Sequence, residues 1–246
     1  MDVQTNLNVA TDAIVTGNVD VQTDLNVTGN VYASSNIVTT GNVDVQTNLN
    51  VAADAIVTGN VYASSNAVVT GNVDVQQNLN VATDAIVTGN VDVQTDLNVV
   101  GNAYLSSNAV VTGNVDTRSN LNVLGNAEIQ TDLTVVGNAY VSSNIVVQSE
   151  LSVVGDAYVY SDAIVAGNVD VQTDLNVVGN AYVSSNAIVT GNVDVQQNLN
   201  VTTDAIVTGN VDVQTNLNVA TDAIVTGNVD VQTDLNVTGN AYIASN

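Results

Sequence analysis

The sequence VTGNVD at residues 207–212 shows the unit from which the chain is built. A six-residue frame of this kind, V-x-(G/T/S)-(N/D)-(V/A/L)-x, runs from Val3 without insertion or deletion, and residues 3–242 divide into 40 hexads. We number the positions one to six, with Val207 at position one. Such a regular repeat predicts a fold that stacks one small structural unit many times.

Positions five and one of the hexad carry the apolar residues. Position five is apolar in every hexad, and position one is polar only at Thr39 and Thr117. One residue separates positions five and one across each junction, which is the period-two pattern of a strand with one buried face. Repeated spacings of two and four do not keep one face of a helix apolar. The pattern therefore predicts strands of about three residues at positions five, six and one.

Position four predicts the bend between successive strands. It is Asn or Asp in every hexad except the one that contains Glu150. Asn and Asp are the non-glycine residues that most readily adopt positive φ, so we expect a left-handed corner at position four. Position three is usually Gly, Thr or Ser, which fits a crowded corner.

Three hexads per coil predict an all-β, single-chain β-solenoid of triangular section with 18 residues per coil. About 13 coils at a spacing of about 4.8 Å would form a rod on the order of 65 Å long. The repeat, for example VTGNVD at residues 87–92, resembles the hexapeptide-repeat left-handed β-helix family over essentially the whole chain. The resemblance implies left-handed winding. Gly at position three instead of two leaves open a right-handed solenoid similar to bactofilins, and an intertwined trimeric prism is a further alternative.

We expect residues 1–246 to form one repeat domain, because no linker or change in composition divides them. The chain has no His and no Cys, and Arg118 is its only Lys or Arg. Members of the hexapeptide family that are acyltransferases or carbonic anhydrases use His as base or metal ligand, so their mechanisms are excluded here. The chain is therefore expected not to be an enzyme and to have no catalytic residues, cofactor or defined metal site.

The charge of the chain limits its partners. A net charge of −23 repels nucleic acid and anionic membranes, both of which require clustered Lys and Arg. No charged segment followed by an apolar stretch marks a signal peptide in this sequence, and no run of 18 apolar residues marks a membrane span. We predict an extracellular protein or one on a virion surface.

Position six points outward in the middle of each predicted strand, and its residues recur every 18 residues in the last third of the chain. A row of Ile and Tyr on one face is predicted to mediate self-association, because exposed apolar rows often mark contacts. We expect Asp on the second face and Asn on the third. The apolar row is Ile188, Ile206, Ile224 and Tyr242, the Asp row is Asp194, Asp212 and Asp230, and the Asn row is Asn200, Asn218 and Asn236.

The Asp row is expected to attract divalent cations weakly and diffusely, since Ca²⁺ requires six to eight oxygen ligands and one flat row offers few. The stretch from Leu105 to Asp162 departs most from the repeat and is either a recognition patch with Arg118 or a less uniform part of the array.

These features predict a non-enzymatic structural rod that forms homo-oligomers or filaments end to end or laterally. The Asn-rich hexads are similar in style to the shaft repeats of viral or phage fibres. An adhesin module that binds a surface or glycan is the alternative. Ice binding ranks third, because no Thr-x-Thr face is found at the mid-strand positions.

Overall fold

The structure is a computed structural model that describes residues 1–244. These residues form 41 short β-strands and no helix. Nearly all strands are three residues long and occupy positions five, six and one of the hexad. This confirms the strand assignment made from the spacing of apolar residues.

The chain divides into two compact units, Met1–Gly125 and Asn126–Asn246. The expectation of one repeat domain stays a prediction. The strands of the first unit are β1 (Asp2–Val3), β2 (Leu7–Val9), β3 (Ala13–Val15), β4 (Val19–Val21), β5 (Leu25–Val27), β6 (Val31–Ala33), β7 (Ile37–Thr39), β8 (Val43–Val45), β9 (Leu49–Val51), β10 (Ala55–Val57), β11 (Val61–Ala63), β12 (Ala67–Val69), β13 (Val73–Val75), β14 (Leu79–Val81), β15 (Ala85–Val87), β16 (Val91–Val93), β17 (Leu97–Val99), β18 (Ala103–Leu105), β19 (Ala109–Val111), β20 (Val115–Thr117) and β21 (Leu121–Val123).

The second unit continues the same pattern of three-residue strands. Its strands are β22 (Ala127–Ile129), β23 (Leu133–Val135), β24 (Ala139–Val141), β25 (Ile145–Val147), β26 (Leu151–Val153), β27 (Ala157–Val159), β28 (Ala163–Val165), β29 (Val169–Val171), β30 (Leu175–Val177), β31 (Ala181–Val183), β32 (Ala187–Val189), β33 (Val193–Val195), β34 (Leu199–Val201), β35 (Ala205–Val207), β36 (Val211–Val213), β37 (Leu217–Val219), β38 (Ala223–Val225), β39 (Val229–Val231), β40 (Leu235–Val237) and β41 (Ala241–Ile243).

Within each unit every third strand belongs to the same parallel sheet, so each unit has three sheets. Paired residues lie 18 positions apart, as in Ala205↔Ala223 and Ile206↔Ile224 between β35 and β38. One coil therefore consists of three hexads, which confirms the predicted three-sided β-solenoid. One chain supplies all three sheets of a unit, which differs from the intertwined trimeric alternative. The left-handed winding stays a prediction.

The core of each unit is filled by positions five and one. Leu133 and Val213 are 0% exposed, whereas the position-six residues between the core positions are half-buried or exposed. Burying one Val or Leu contributes roughly 1.5 to 3 kcal/mol, and the same contribution recurs in every coil. The two polar residues at position one, Thr39 and Thr117, are also buried, and their hydroxyl groups have no hydrogen-bond partner.

The predicted left-handed corner at position four is wrong. No residue within 1–244 has positive φ, whether glycine or not. Asn and Asp occur there because their side chains join successive coils. The side-chain Oδ1 of one position-four residue accepts a hydrogen bond from the backbone N–H of the position-four residue 18 positions later, as between Asp174 and Asn192 at 2.7 Å.

Asp204 shows the full set of bonds at one corner. Its backbone N–H donates to Oδ1 of Asn186 at 3.1 Å, and its carbonyl accepts the N–H of Ala187 at 2.9 Å. Its own Oδ1 accepts the N–H of Asp222 at 3.1 Å and the hydroxyl of Thr221. An aliphatic residue could not accept the last two bonds, which explains why position four is so uniform.

Glycine at position three is explained by close approach between coils. Gly191 donates its N–H to the carbonyl of Thr173 at 3.0 Å. A Cβ added at Gly191 would lie 2.6 Å from backbone atoms of Thr173, which is closer than real Cβ atoms come. At Gly191 the close approach requires the absence of a side chain and not access to positive φ.

Candidate functional site

The four residues predicted to mediate self-association lie on adjacent strands of one sheet. Ile188, Ile206, Ile224 and Tyr242 are at the centres of β32, β35, β38 and β41 and pair in register. Their exposed fractions are 39%, 36%, 40% and 59%. The structure therefore brings the whole predicted row together on an outward surface, while its role in self-association stays a prediction.

A second row, which the sequence analysis missed, runs beside the isoleucines. Thr190, Thr208 and Thr226 follow the last residues of β32, β35 and β38, and all three are exposed. The backbone N–H of Thr208 donates to Val189 at 3.0 Å, which holds it to the preceding coil. Position two could have been recognised as outward by extending the period-two alternation by one residue. We call the two rows together the isoleucine face; none of their residues is charged.

The predicted Asp row lies on a different sheet of the same unit. Asp194, Asp212 and Asp230 are at the centres of β33, β36 and β39 and pair in register. Partial burial, and then the neighbouring Asp212 carboxylate, raise the pKa of Asp194 above its ordinary value. Its Oδ1 is shielded from solvent and has no hydrogen-bond partner. In residues 1–244 no group of three or more acidic, His or Cys side chains is arranged to hold a metal ion.

The predicted Asn row occupies the third sheet and, unlike the Asp row, bonds to itself. Nδ2 of Asn218 donates to Oδ1 of Asn200 at 2.8 Å, and Nδ2 of Asn236 donates to Oδ1 of Asn218 at 2.9 Å. An amide both donates and accepts, so a row of amides can form a continuous chain of bonds. Ionised carboxylates only accept hydrogen bonds, and neighbouring carboxylates in a row repel one another.

Outward rows change sheet within the first unit. Ile14 pairs with Tyr32 on β3 and β6, whereas Val38 pairs with Ile56 on β7 and β10 of another sheet. The outward apolar residues therefore do not form one stripe along that unit.

Two tyrosines on the Asp-bearing sheet form a stacked pair. Tyr140 on β24 and Tyr158 on β27 have ring centroids 4.9 Å apart and an interplanar angle of 1°. The hydroxyl of Tyr158 donates to Oδ2 of Asp156 at 3.3 Å, and Nδ2 of Asn138 donates to the Tyr140 hydroxyl at 3.1 Å. Partial burial and the Asp156 carboxylate raise the pKa of Tyr158.

A shallow cavity of about 200 Å³ begins at this pair. Its walls include Tyr158, Tyr160, Asn176, Asp194 and Gln196. Tyr158 and Tyr160 belong to the stretch that departs most from the repeat, so part of that stretch does line a surface cavity. The cavity was not predicted, because it depends on the orientation of the stacked Tyr158 ring, which residue spacing does not give. Arg118, from the same stretch, follows β20 in the first unit and is exposed.

Comparison of the chain with protein-family models, curated proteins and solved structures finds no match. The resemblance to the hexapeptide-repeat family therefore rests on the repeat alone, and the structure shows the coarser class, a parallel β-solenoid. In the described part of the chain, no helix has the length and apolar character needed to cross a membrane.

Proposed function

We propose that this chain is a non-enzymatic structural protein whose copies associate laterally through the isoleucine face to form filaments or bundles. The observation that carries the proposal is the register of Ile188, Ile206 and Ile224, which are exposed and lie on consecutive paired strands. Water-exposed apolar rows of this regularity favour contact with another surface.

Repulsion between acidic residues favours the uncharged isoleucine face as the surface through which two copies contact each other. The chain carries 24 acidic residues and one basic residue, so two copies repel over most of their surfaces. In the C-terminal unit the Asp row lies on a different sheet from the isoleucine face. Contact through the isoleucine face buries apolar side chains without bringing two carboxylate rows together.

A second copy of the chain also matches the isoleucine face geometrically. Neighbouring strands of parallel sheets lie about 4.8 Å apart, so two such faces have side-chain rows of equal spacing. Equal spacing permits the branched side chains of one copy to pack between those of the other over several coils. The continuous hydrogen-bond ladders within each unit would provide stiffness.

The proposal extends to end-to-end joining, since the edge of a coil has the same donors and acceptors that pair successive coils. It places the protein in the shaft of a fibre or surface appendage, outside the cell or on a virion. This is consistent with the similarity in repeat style to fibre shafts.

Substitution of Ile206 by Asp tests the lateral contact. We expect Ile206→Asp to remove lateral association, because it places a carboxylate in the middle of an apolar contact. Asn218→Asp is the matched control, since it adds the same charge at the same strand position on another sheet. Sedimentation velocity and electron microscopy measure assembly, and circular dichroism checks the fold.

Wild type and Asn218→Asp should assemble, and Ile206→Asp should remain dispersed. Equal assembly of all three proteins would contradict a contact through the isoleucine face. Equal loss in both variants would show that added charge, and not the face, controls association. A dispersed wild type whose stability rises with a surface ligand would instead support the adhesin alternative, which the tyrosine-lined cavity favours.

A further inference from the structure

We propose that the cavity bordered by Tyr158, Asn176 and Asp194 is a binding site for a planar organic cation, namely a guanidinium group. The three residues are at the centres of the consecutive paired strands β27, β30 and β33. All three line the cavity together with Tyr160 and Gln196, and the strand register places Asn176 between Tyr158 and Asp194. This site is separate from the isoleucine face and does not depend on the proposed assembly.

The tyrosine stack determines which ring face is available. Tyr140 covers one face of the Tyr158 ring in a nearly parallel arrangement. The opposite face points along the sheet toward the next strand, where the residue is Asn176. The shorter Asn side chain leaves room above it, so a planar group can continue the stack at the position of a third ring. Aromatic ring faces attract cations through their quadrupole.

Asp194 provides the charge for the opposite wall. Its Oδ1 has no hydrogen-bond partner, and the next residue in its row is another carboxylate, Asp212. A cation at the level of Asn176 would lie about one strand spacing, or about 4.8 Å, from the Asp194 carboxylate. It would relieve the repulsion between Asp194 and Asp212, which contributes to the raised pKa of Asp194.

The shape of the cavity favours guanidinium over other cations. Guanidinium is flat, stacks on aromatic rings and is less strongly hydrated than an ammonium group. Its N–H groups lie in its plane, where the amide oxygen of Asn176 and the side chain of Gln196 are potential acceptors. A neutral sugar could stack on the ring but would leave the Asp194 carboxylate without a counter-charge.

Guanidinium could come from two sources, an arginine of another protein or Arg118 of a second copy of this chain. Arg118 is the chain's only Lys or Arg, and it is exposed. Both sources present the same chemistry to the cavity.

The first unit contains a natural control for this cavity. A depression of about 240 Å³ is lined by Tyr32, Asn50 and Val68, which pair in register on β6, β9 and β12. It has Tyr followed by Asn at the same spacing, but Val68 takes the place of Asp194. It should therefore not bind a cation.

The test follows the tyrosine ring resonances by NMR during titration with methylguanidinium chloride. Tyr→Phe variants assign the resonances of Tyr158 and Tyr32. We expect saturable shifts at Tyr158 and none at Tyr32, with binding weakened roughly fivefold to tenfold in Asp194→Asn. Methylammonium chloride and methyl glucoside are the comparison ligands. High salt should weaken binding of the cation.

Equal shifts at Tyr158 and Tyr32, or unchanged affinity in Asp194→Asn, would overturn the proposal. Tighter binding of methyl glucoside than of methylguanidinium would overturn it in favour of a glycan site. Sedimentation of Arg118→Gln distinguishes the sources. If binding of methylguanidinium is confirmed, an unchanged sedimentation profile assigns the site to an arginine from another protein. A decrease in self-association that Arg118→Lys does not restore assigns it to a second copy.

Discussion

Asp204 and Asp194 are the same residue type in one solenoid unit, yet their surroundings shift their pKa values in opposite directions. Asp204 is at a corner, where its Oδ1 accepts bonds from the hydroxyl of Thr221 and the N–H of Asp222. Asp194 is in the middle of β33, where its Oδ1 has no partner. These hydrogen bonds lower the pKa of Asp204, whereas partial burial and Asp212 raise the pKa of Asp194.

The position of an Asp within the hexad therefore determines whether its carboxylate stabilises the coil. The corner carboxylate of Asp174 and the corner amide of Asn186 are part of the scaffold, because each accepts a hydrogen bond from the coil that follows it. Carboxylates at position six contribute nothing comparable to the scaffold, and the same position accepts Ile, Asn or Tyr elsewhere. Function is therefore to be sought at the outward positions, where the residues vary while the fold does not.

The largest expected effect is the difference in free energy of unfolding between removal of a corner carboxylate and removal of a carboxylate at position six. Asp174 is at a corner, and its Oδ1 accepts the backbone N–H of Asn192 at 2.7 Å and Nδ2 of Asn192 at 3.2 Å. We expect Asp174→Ala to lower the free energy of unfolding by roughly 2 kcal/mol, because bonds to a charged acceptor are lost and a backbone donor is left unpaired. Asp212→Ala should change it by less than about 0.5 kcal/mol. Urea denaturation of both variants measures this difference.

A comparable loss in Asp212→Ala would show that the Asp row is part of the scaffold. An unchanged Asp174→Ala would show that water replaces the corner acceptor at no cost. Either outcome would remove the distinction between corner and face.

The two buried threonines show that polar groups without a hydrogen-bond partner also occur in the core. Thr39 and Thr117 are at a position that is otherwise apolar, and their hydroxyl groups have no partner. We expect Thr39→Val and Thr117→Val each to raise the free energy of unfolding by roughly 1 kcal/mol, because each removes a buried unsatisfied hydroxyl group. Thr88→Val, at an exposed position, is the control and should have little effect. Thermal or urea midpoints provide the measurement, and a decrease in both core variants would contradict the assignment of these hydroxyls as unpaired.

The strands, the core and the 18-residue coil could be predicted because each depends only on residue spacing. Alternation of apolar residues at positions five and one is sufficient to place Leu133 inside and Ile206 outside. The corner was predicted at the right position for the wrong reason. A preference for positive φ is a property of one residue, whereas the bond from Asn192 to Asp174 depends on how successive coils stack.

The candidate surfaces could be predicted only in part from residue spacing. The row of Ile188, Ile206, Ile224 and Tyr242 follows from counting 18 residues, and so does the Asp row. The cavity beside Tyr158 cannot be found by counting residues. It depends on the orientation of the stacked Tyr158 ring and on the sizes of the side chains beside it. Side-chain conformation of this kind is determined by packing, which residue spacing does not describe.

The smallest effect expected is a pH dependence of opposite sign in the two classes of Asp. The pKa of Asp194 is raised above its ordinary value of 3.8, so its ionisation reduces stability as pH rises through the folded-state pKa. Asp194→Asn should therefore be more stable than wild type at neutral pH, with no difference well below pH 3.8. The pKa of Asp204 is lowered, so its contribution is present above 3.8 and is lost as pH falls through the folded-state pKa.

Asp204→Asn keeps the Oδ1 acceptor and removes only the charge. We expect it to be less stable than wild type at neutral pH and equal to wild type in strong acid. Unfolding midpoints measured from neutral to acidic pH for both variants check the two signs together. If both variants deviate from wild type in the same direction, net charge governs the acid response and the corner hydrogen bonds do not, because each substitution removes one negative charge.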